Sequence, residues 1–236
     1  MKEFKVKFVD KLRRTPTVES FRFEKPDGLE FVPSQFLQLI FDERDRQNHN
    51  LNKYLSFSSS PMREYIEVTK RLSHSEFSEK LRELKPTDEV LIRAPLGNCV
   101  LDKETERIGF LIGGIGITPV ISMLEYIVEK NFDIDVSLFY SNRSEEEIAF
   151  KNELNRWQEE STFLKVFYVV TDSKPQDEKY TFGKIDNQLI TEKDRSFRNR
   201  TVFIFGPPKM VDAMKALCIE VGTPLPYIRT EKFLGY

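Results

Sequence analysis

The stretch Gly113-Gly114-Ile115-Gly116-Ile117-Thr118-Pro119 lies between an apolar run, Ile108–Ile112, and a helical pattern. Glycine accepts the backbone angles of a sharp turn from strand to helix and lets the main chain approach a pyrophosphate closely. The positive dipole end of the following helix would face the bound anion. The stretch therefore predicts nucleotide binding, although Pro119 stands where the common dinucleotide fingerprint has its third glycine. A glycine-rich turn without a ligand is the alternative.

The composition of the 236-residue chain is that of an ordinary soluble protein, with 39% hydrophobic residues, 31% charged residues and a net charge of −2. No apolar run approaches the ~20 residues that span a bilayer, and the N-terminus lacks a signal peptide's apolar stretch. We therefore predict a cytoplasmic protein that binds neither membrane nor nucleic acid. Cys99 and Cys218 form no Cys/His cluster, so we predict no metal site.

The first hundred residues alternate β-branched and aromatic residues with polar ones over short runs, which predicts an antiparallel sheet closed into a small barrel. The predicted strands are Phe4–Val9, Val18–Phe23, Phe36–Phe41, Tyr65–Thr69 and Glu89–Arg93. One short helix is predicted within Ser75 to Leu84, with Ser75 or Ser78 as the residue that begins it.

After residue 103 the pattern changes to strands that alternate with helices, which predicts a second domain with a parallel sheet. Its predicted strands are Ile108–Ile112, Asp135–Tyr140, Leu164–Val170, Thr201–Phe205 and Tyr227–Arg229. Its predicted helices are Thr118–Lys130, Glu145–Gln158 and Pro208–Val221, with a further one after Asp186. Ligands of such sheets bind beyond the carboxyl ends of the strands, where the glycine turn lies.

Three further segments accompany the glycine turn in a fixed order. They are Lys53-Tyr-Leu-Ser-Phe-Ser-Ser-Ser-Pro61, Phe205-Gly-Pro-Pro-Lys-Met210 and Glu231-Lys-Phe-Leu-Gly-Tyr236. The set resembles the ferredoxin-NADP reductase superfamily, with its R-x-Y/F-S/T-x-x-S flavin segment, GG-x-G-x-TP turn, C-G-P-x-x-M strand end and E-x-F-x-GY tail. The resemblance implies a flavin-binding barrel domain over residues 1–103 and an NAD(P)-binding α/β domain over residues 104–236.

On the flavin side, the resemblance implies that Lys53 binds the pyrophosphate of FAD and that the Ser56 hydroxyl lies near the flavin N5. Leu55 takes the place of the aromatic residue that stacks on the ring, and Tyr54 lies beside it. FAD is implied in preference to FMN. Lysine replaces the family's arginine, and an ammonium offers one point charge where a guanidinium would hold two oxygens.

Downstream, Thr69-Lys70-Arg71 resembles the family's V-K-R segment beside the flavin. Ser75 to Ser78 stands where the family has a Gly-x-x-Ser turn that feeds a helix N-terminus, a place that binds phosphate well. Ser75 and Ser34 both replace family glycines, which leaves the local backbone open at these two positions.

On the nucleotide side, the residues that the resemblance places along NADPH or NADH are Gly114, Gly116, Thr118, Gly206 and Pro207. Phe205 stands where the family often has a cysteine near the reacting carbon. Arg143 follows the second parallel strand, where a basic residue favours the 2'-phosphate of NADPH. The acidic run Glu145–Glu147 leaves NADH open.

At the C-terminus, the resemblance implies that the tail folds back against the flavin through Tyr236, with the carboxylate of Glu231 near the nicotinamide. We interpret Glu231 as a polar positioning group, because hydride passes directly between the two cofactor rings. Ser56, Thr118 and Glu231 are thus the predicted groups nearest the reaction.

The sequence predicts a flavoprotein reductase that passes a hydride from NAD(P)H to FAD and then single electrons to a separate acceptor such as ferredoxin, rubredoxin or an oxygenase component. One alternative is a flavin-binding electron-transfer subunit that a partner enzyme supplies with electrons. A second alternative is a degenerate member that binds nucleotide without redox activity, because several motif positions depart from the family.

Overall fold

The computed structural model describes residues 2–102, 104–172, 174–175 and 177–233, and these residues form twelve strands and five α-helices. The strands are β1 Lys2–Arg13, β2 Val18–Glu24, β3 Phe36–Ile40, β4 Asn52–Ser56, β5 Tyr65–Arg71, β6 Glu89–Leu96, β7 Arg107–Gly113, β8 Asp135–Asn142, β9 Leu164–Val170, β10 Tyr180–Phe182, β11 Thr201–Gly206 and β12 Ile228–Lys232. The helices are α1 Glu76–Glu83, α2 Thr118–Lys130, α3 Lys151–Glu160, α4 Asn187–Lys193 and α5 Pro208–Val221. None of the described helices is both long and apolar enough to cross a membrane.

The first sheet is antiparallel, with the strand order β4-β3-β6-β1-β2-β5. The two end strands meet at a single bridge, Phe57–Val68, which nearly closes the sheet into a barrel. Aromatic and branched side chains fill its interior, among them Phe21, Phe23 and Ile92, all fully buried. The predicted flavin-domain barrel fold is confirmed.

A charged network lies on one side of this sheet around the buried carboxylate of Glu67. Arg14 and Arg22 both donate to it at 3.0–3.2 Å, and the Ser58 hydroxyl donates at 3.0 Å. A buried carboxylate is costly unless it is paired and hydrogen-bonded, and Glu67 is both. This network fixes the turn between β4 and β5.

The second sheet is parallel throughout, with the order β10-β9-β8-β7-β11-β12. The chain begins at the central β7, adds β8 to β10 on one side, and then returns to add β11 and β12 on the other. The order therefore reverses at β7, which is the topological switch point where open α/β sheets bind ligands. The predicted α/β parallel-sheet fold is confirmed.

Two compact units divide the chain. Among the described residues, one comprises residues 2–101 together with α2, and the other comprises Asp102–Ile117 and residues 131–233. Helix α2 therefore groups with the barrel, although it follows the glycine turn of the parallel sheet in sequence. No sequence pattern predicts this grouping.

The helix predicted over Glu145–Gln158 is wrong in its first half. Glu145–Glu147 forms a 3₁₀ turn, and α3 starts only at Lys151. Phe150 breaks the helix because its backbone is left-handed, with φ 60°, while its side chain is buried. Strands β4 and β10 were not predicted, because both are short and polar in part.

Candidate functional site

The open edge of the barrel is formed by β4 and β5. Beyond the Phe57–Val68 bridge and the hydrogen bond from Ser58 N to Glu67 O (2.8 Å), the described residues of β4 and β5 form no ladder. Unpaired strand edges present main-chain N–H and C=O groups to a ligand. This edge carries the segment Lys53–Ser56 on one side and Thr69–Arg71 on the other.

Two lysines approach each other across the open edge. Burial, reinforced by the nearby positive charge of Lys53, lowers the pKa of Lys70. Neither ammonium has an acidic partner within ion-pair distance among the described residues. Two unneutralised ammonium groups at one place favour an anionic ligand, because a bound anion would relieve both the repulsion and the cost of burial.

The serines that follow β4 have distinct roles. Ser58 bonds Glu67 and the Thr69 hydroxyl (2.7 Å), the Ser59 hydroxyl accepts from Glu67 N (3.0 Å), and the Ser60 hydroxyl accepts from Met62 N (3.1 Å). Among the serines of this described segment, Ser56 alone has no hydrogen-bond partner for its hydroxyl. Its side chain is thus available to a ligand at the edge of β4.

Tyr54 and Leu55 occupy different faces of β4, because side chains alternate along a strand. Leu55 packs against the barrel core, whereas Tyr54 is half exposed and its ring lies nearly perpendicular to that of Phe36, with the ring centroids 5.9 Å apart. Lys53 shares the face of Leu55, and Ser56 shares the face of Tyr54. A ligand that follows this strand edge can contact both faces, so all four residues remain predicted contacts.

The remaining predicted flavin contacts are already engaged within the protein. Thr69 is buried and bonds Ser20 (2.6 Å) as well as Ser58, and Arg71 donates to the Thr17 hydroxyl (2.9 Å). Ser75 caps α1 by accepting from Ser78 N. Their roles in cofactor binding stay predictions.

Serine replaces the family's glycine with different results at two positions. Ser34 keeps the left-handed backbone of a glycine, with φ 73°, and its hydroxyl donates to Cys99 O. Ser75 has an extended backbone, with φ −77°, suited to a helix N-cap. The turn at Ser34 therefore has a glycine-like conformation without a glycine.

In the second unit, the glycine turn packs against the end of β11. A Cβ placed on Gly116 would lie 2.3 Å from the Phe205 carbonyl oxygen, and one on Gly113 would lie 2.6 Å from the Met210 sulfur. Gly206 has φ 152°, which side chains rarely adopt, and Pro207 precedes α5. The structure thus brings together Gly114, Gly116, Gly206 and Pro207, which the sequence predicts as one nucleotide site.

Two residues at this end of the sheet were missed by sequence reasoning. The Tyr140 hydroxyl donates to the Gly114 carbonyl oxygen at 3.1 Å and supports the turn from β8. Asn142 is the last residue of β8, and neither polar atom of its buried side chain has a hydrogen-bond partner among the described residues. Only the fold could reveal them, since tyrosine and asparagine at a strand end carry no motif.

Arg143 is exposed directly after β8, where the sequence predicts the 2'-phosphate of NADPH. Glu145 accepts from Lys151 (2.5 Å) and from the Tyr180 hydroxyl (2.7 Å), and the bond from Lys151 is the main cause of its lowered pKa. This carboxylate is engaged within the protein, so it is a poor candidate for the ribose hydroxyl of NADH.

Glu231 lies on β12 opposite Phe205 in the parallel register, beside the strand end that carries Gly206. Burial raises the pKa of Glu231 to about 7. A carboxyl with this pKa can donate or accept a hydrogen bond near neutral pH, which suits a polar positioning group. Thr118 is buried as the first residue of α2, and Tyr236 lies outside the described residues.

We expect Glu231→Gln to change how stability depends on pH. The ordinary pKa of this carboxyl is 4.5, so between pH 4.5 and about 7 the folded protein keeps a proton that the unfolded chain has released. Glu231 therefore lowers the free energy of unfolding as pH rises through this window. The free energy of unfolding of the variant minus that of wild type should therefore rise from pH 4.5 to about 7 and stay constant above that.

Urea denaturation at a series of pH values measures this difference. Glu159→Gln, which alters an exposed carboxylate of α3, is the matched control and should show little such gain. Parallel curves for wild type and Glu231→Gln would contradict the raised pKa.

Comparison with known proteins agrees with this geometry. The family model for the oxidoreductase NAD-binding domain matches residues 110–216. Flavohemoprotein A of Dictyostelium discoideum is 27% identical over 94% of this chain, and NADH-cytochrome b5 reductase 1 of Aspergillus terreus is 27% identical over 87%. The chain spans 58% of the first protein and 73% of the second.

A solved ferredoxin NADP+ reductase from Neisseria gonorrhoeae with bound FAD and NADP has the same fold, with a TM-score of 0.80 at 21% identity over 98% of this chain and 99% of that chain. The matched NAD-binding domain, the relatives and the fold agree with the motifs. The chain therefore has the fold of this reductase and contains a segment, residues 110–216, that matches the oxidoreductase NAD-binding domain.

Proposed function

We propose that the chain is a flavin-dependent NAD(P)H oxidoreductase that binds FAD on its barrel and NADPH or NADH on its parallel sheet. The two unneutralised ammonium groups of Lys53 and Lys70 are the observation that carries this proposal. They stand at the open strand edge where the motif expects the flavin pyrophosphate, so the residues present fit FAD. The relatives and the matched NAD-binding domain support the same conclusion.

Bound flavin would accept a hydride from the nicotinamide and release electrons one at a time. The chain's own residues bind and orient the partners of that reaction. Lys53 and Lys70 hold the phosphates, and the unpartnered Ser56 hydroxyl offers a hydrogen bond to the ring. Gly114 and Gly116 let the main chain approach the nicotinamide nucleotide, and Glu231 offers a polar group beside it.

The electron acceptor in this proposal is a separate protein such as ferredoxin, rubredoxin or an oxygenase component, and the place of action is the cytoplasm. Arg143 favours NADPH over NADH, because it is an exposed cation just beyond β8 while Glu145 is engaged with Lys151. The coenzyme preference is tested by comparing NADPH with NADH, and the acceptor is tested by comparing candidate acceptor proteins.

Visible spectra of the purified protein, recorded without oxygen before and after addition of NADPH or NADH, test the proposal. We expect flavin absorbance that either coenzyme bleaches, with the faster of the two identifying the preferred donor. A yellow protein that neither coenzyme bleaches would overturn the reductase and favour a subunit fed by a partner enzyme. A colourless protein that takes up neither FAD nor FMN would leave a nucleotide binder without redox activity.

Lys53→Met should weaken FAD binding about 10–100-fold, since a hydrogen bond to a charged group contributes roughly 1.5–3 kcal/mol. Fluorescence titration of the apoprotein with FAD measures the affinity, and a series of salt concentrations should show a shallower dependence for the variant. Lys7→Met removes the same charge from an exposed position on β1 and is the matched control. Equal FAD affinity in the two variants would refute the phosphate role of Lys53.

A further inference from the structure

Helix α2 is attached to the barrel by polar contacts rather than by apolar packing alone. The buried Ser122 hydroxyl donates to Ser59 O at 2.7 Å. One Glu125 carboxylate oxygen accepts from Ser60 N at 2.6 Å, and the other accepts two bonds from Arg63, at 2.6 and 3.0 Å. Arg63 also pairs with Glu129 at 3.0 Å. We name this set, Ser59, Ser60, Arg63, Ser122, Glu125 and Glu129, the α2 clamp.

The helical residues of the α2 clamp share one face with Thr118. Ser122, Glu125 and Glu129 follow Thr118 at intervals of 4, 7 and 11 residues, which is one stripe of an α-helix. From Thr118 to Glu125 the helix rises only ~10 Å. A shift of the clamp would therefore be transmitted directly to Thr118 through two turns of rigid helix.

The loop side of the α2 clamp starts three residues after Ser56. Ser58 and the Ser59 hydroxyl tie this loop to Glu67 on β5, so it has little freedom of its own. Ser56, predicted to lie near the flavin N5, and Thr118, predicted to lie along NADPH or NADH, thus belong to one compact unit and are joined through the clamp.

The charge of Glu125 is unusual for this helix. Its side chain is only 14% exposed on a helix that is otherwise mainly apolar on its buried side. Partial burial of a carboxylate costs free energy that an apolar side chain would avoid. In exchange, its hydrogen bonds and ion pair are directional, so they fix the position of the helix relative to the loop. Apolar packing would hold α2 against the barrel but would not fix its position along the helix axis as sharply.

We propose that Glu125, with Arg63, is a positioning residue for hydride transfer, which it serves by holding the N-terminus of α2 at a set place relative to the Ser56 segment. The proposal rests on the proposed function. Hydride transfer requires the reacting atoms ~3–3.5 Å apart, and a misplacement of about 1 Å can cost about 100-fold in rate. Glu125 touches neither cofactor in this scheme and acts through the helix.

Stopped-flow reduction of the bound flavin, without oxygen, tests the proposal with Glu125→Leu and Glu125→Gln. Glu125→Leu should lower the limiting rate of flavin reduction about 10–100-fold, with a larger deuterium isotope effect from 4-deuterated coenzyme. The FAD affinity and the rate of flavin reoxidation by ferricyanide should stay unchanged. Glu125→Gln keeps an oxygen for Ser60 N and should fall between Glu125→Leu and wild type.

The matched control is Glu160→Gln, which alters an exposed helical ion pair with Arg156 on α3 and should leave the limiting rate unchanged. A merely structural role would lower the melting temperature of Glu125→Leu without altering the limiting rate or the isotope effect, and that result would overturn the proposal. Should Glu125→Leu fail to fold, Arg63→Gln, a change at a half-exposed partner, decides the question by the same readouts.

Wild-type protein that neither coenzyme reduces would overturn the proposed function and this proposal together. Wild-type protein that is reduced, with unchanged limiting rates in the Glu125 variants, would overturn only the positioning role.

Discussion

Gly116→Ala should reduce the rate of flavin reduction by NADPH or NADH at least about 100-fold. The new Cβ would lie 2.3 Å from the Phe205 carbonyl oxygen and 3.0 Å from its carbonyl carbon. Phe205 is fully buried on β11, which pairs with β7 on one side and β12 on the other, so its backbone cannot yield cheaply. The turn itself must move, and the nucleotide then loses the close approach of the main chain.

Gly113→Ala is the informative comparison in the same turn. Its Cβ meets the Met210 sulfur at 2.6 Å, but that atom is near the end of a flexible side chain that can turn aside. We expect a loss of activity well below that of Gly116→Ala, with partial recovery in the double variant Gly113→Ala, Met210→Ala.

Single-turnover bleaching of the flavin measures both variants, with FAD content as the check that the barrel is intact. Equal losses in Gly113→Ala and Gly116→Ala would show that the turn fails for a reason other than contact with the β11 backbone.

The strands and helices of the parallel-sheet region and of α2 are predicted well because the sequence patterns that mark them are local. The strand Leu164–Val170 and the helices Thr118–Lys130 and Pro208–Val221 have the predicted bounds, since their apolar periodicity is strong. The helix over Glu145–Gln158 failed at Phe150, where burial of the side chain overrides the local preference for a continuous helix.

The candidate site could be predicted only at positions that belong to a sequence motif. Lys53, Ser56 and the glycines follow from recognisable spacing, but the approach of Lys70 to Lys53 depends on how β4 and β5 meet in space. The same holds for the grouping of α2 with the barrel, which joins Glu125 to residues more than sixty positions earlier. Pairings over such separations are products of the fold and leave no local pattern in the sequence.

Arg200 illustrates a residue of large energetic importance that no motif marks. Its guanidinium is almost fully buried at the amino-terminal edge of the parallel sheet. It donates to Asp194 (2.6 Å) and Asp135 (2.8 Å), and also to the carbonyl oxygens of Asp135 (2.7 Å) and Ile108 (3.4 Å). One side chain thus joins the starts of β7 and β8 to the loop before β11.

Arg200→Met should lower the free energy of unfolding by about 3–5 kcal/mol, because it leaves the buried carboxylate of Asp194 without its cation. Burial alone would raise the pKa of Asp194, but hydrogen bonds from Ser137, Ser196 and Arg200 outweigh burial and lower it. A carboxyl with a lowered pKa stabilises the fold above its ordinary pKa of 3.8, and this contribution is lost as pH falls further. The variant should therefore show a weaker loss of stability on acidification.

Urea denaturation of wild type and Arg200→Met at neutral and acidic pH measures both effects. Arg156→Met removes an exposed partner of Glu160 at 4.0 Å and should cost no more than about 0.5 kcal/mol. A double variant, Arg200→Met with Asp194→Leu, should recover part of the lost free energy of unfolding, because it removes the unpaired Asp194 carboxylate as well as Arg200. No recovery in the double variant would mean that the bonds from Arg200 to the Asp135 carboxylate and to the carbonyl oxygens, rather than its ion pair with Asp194, hold this edge of the sheet together.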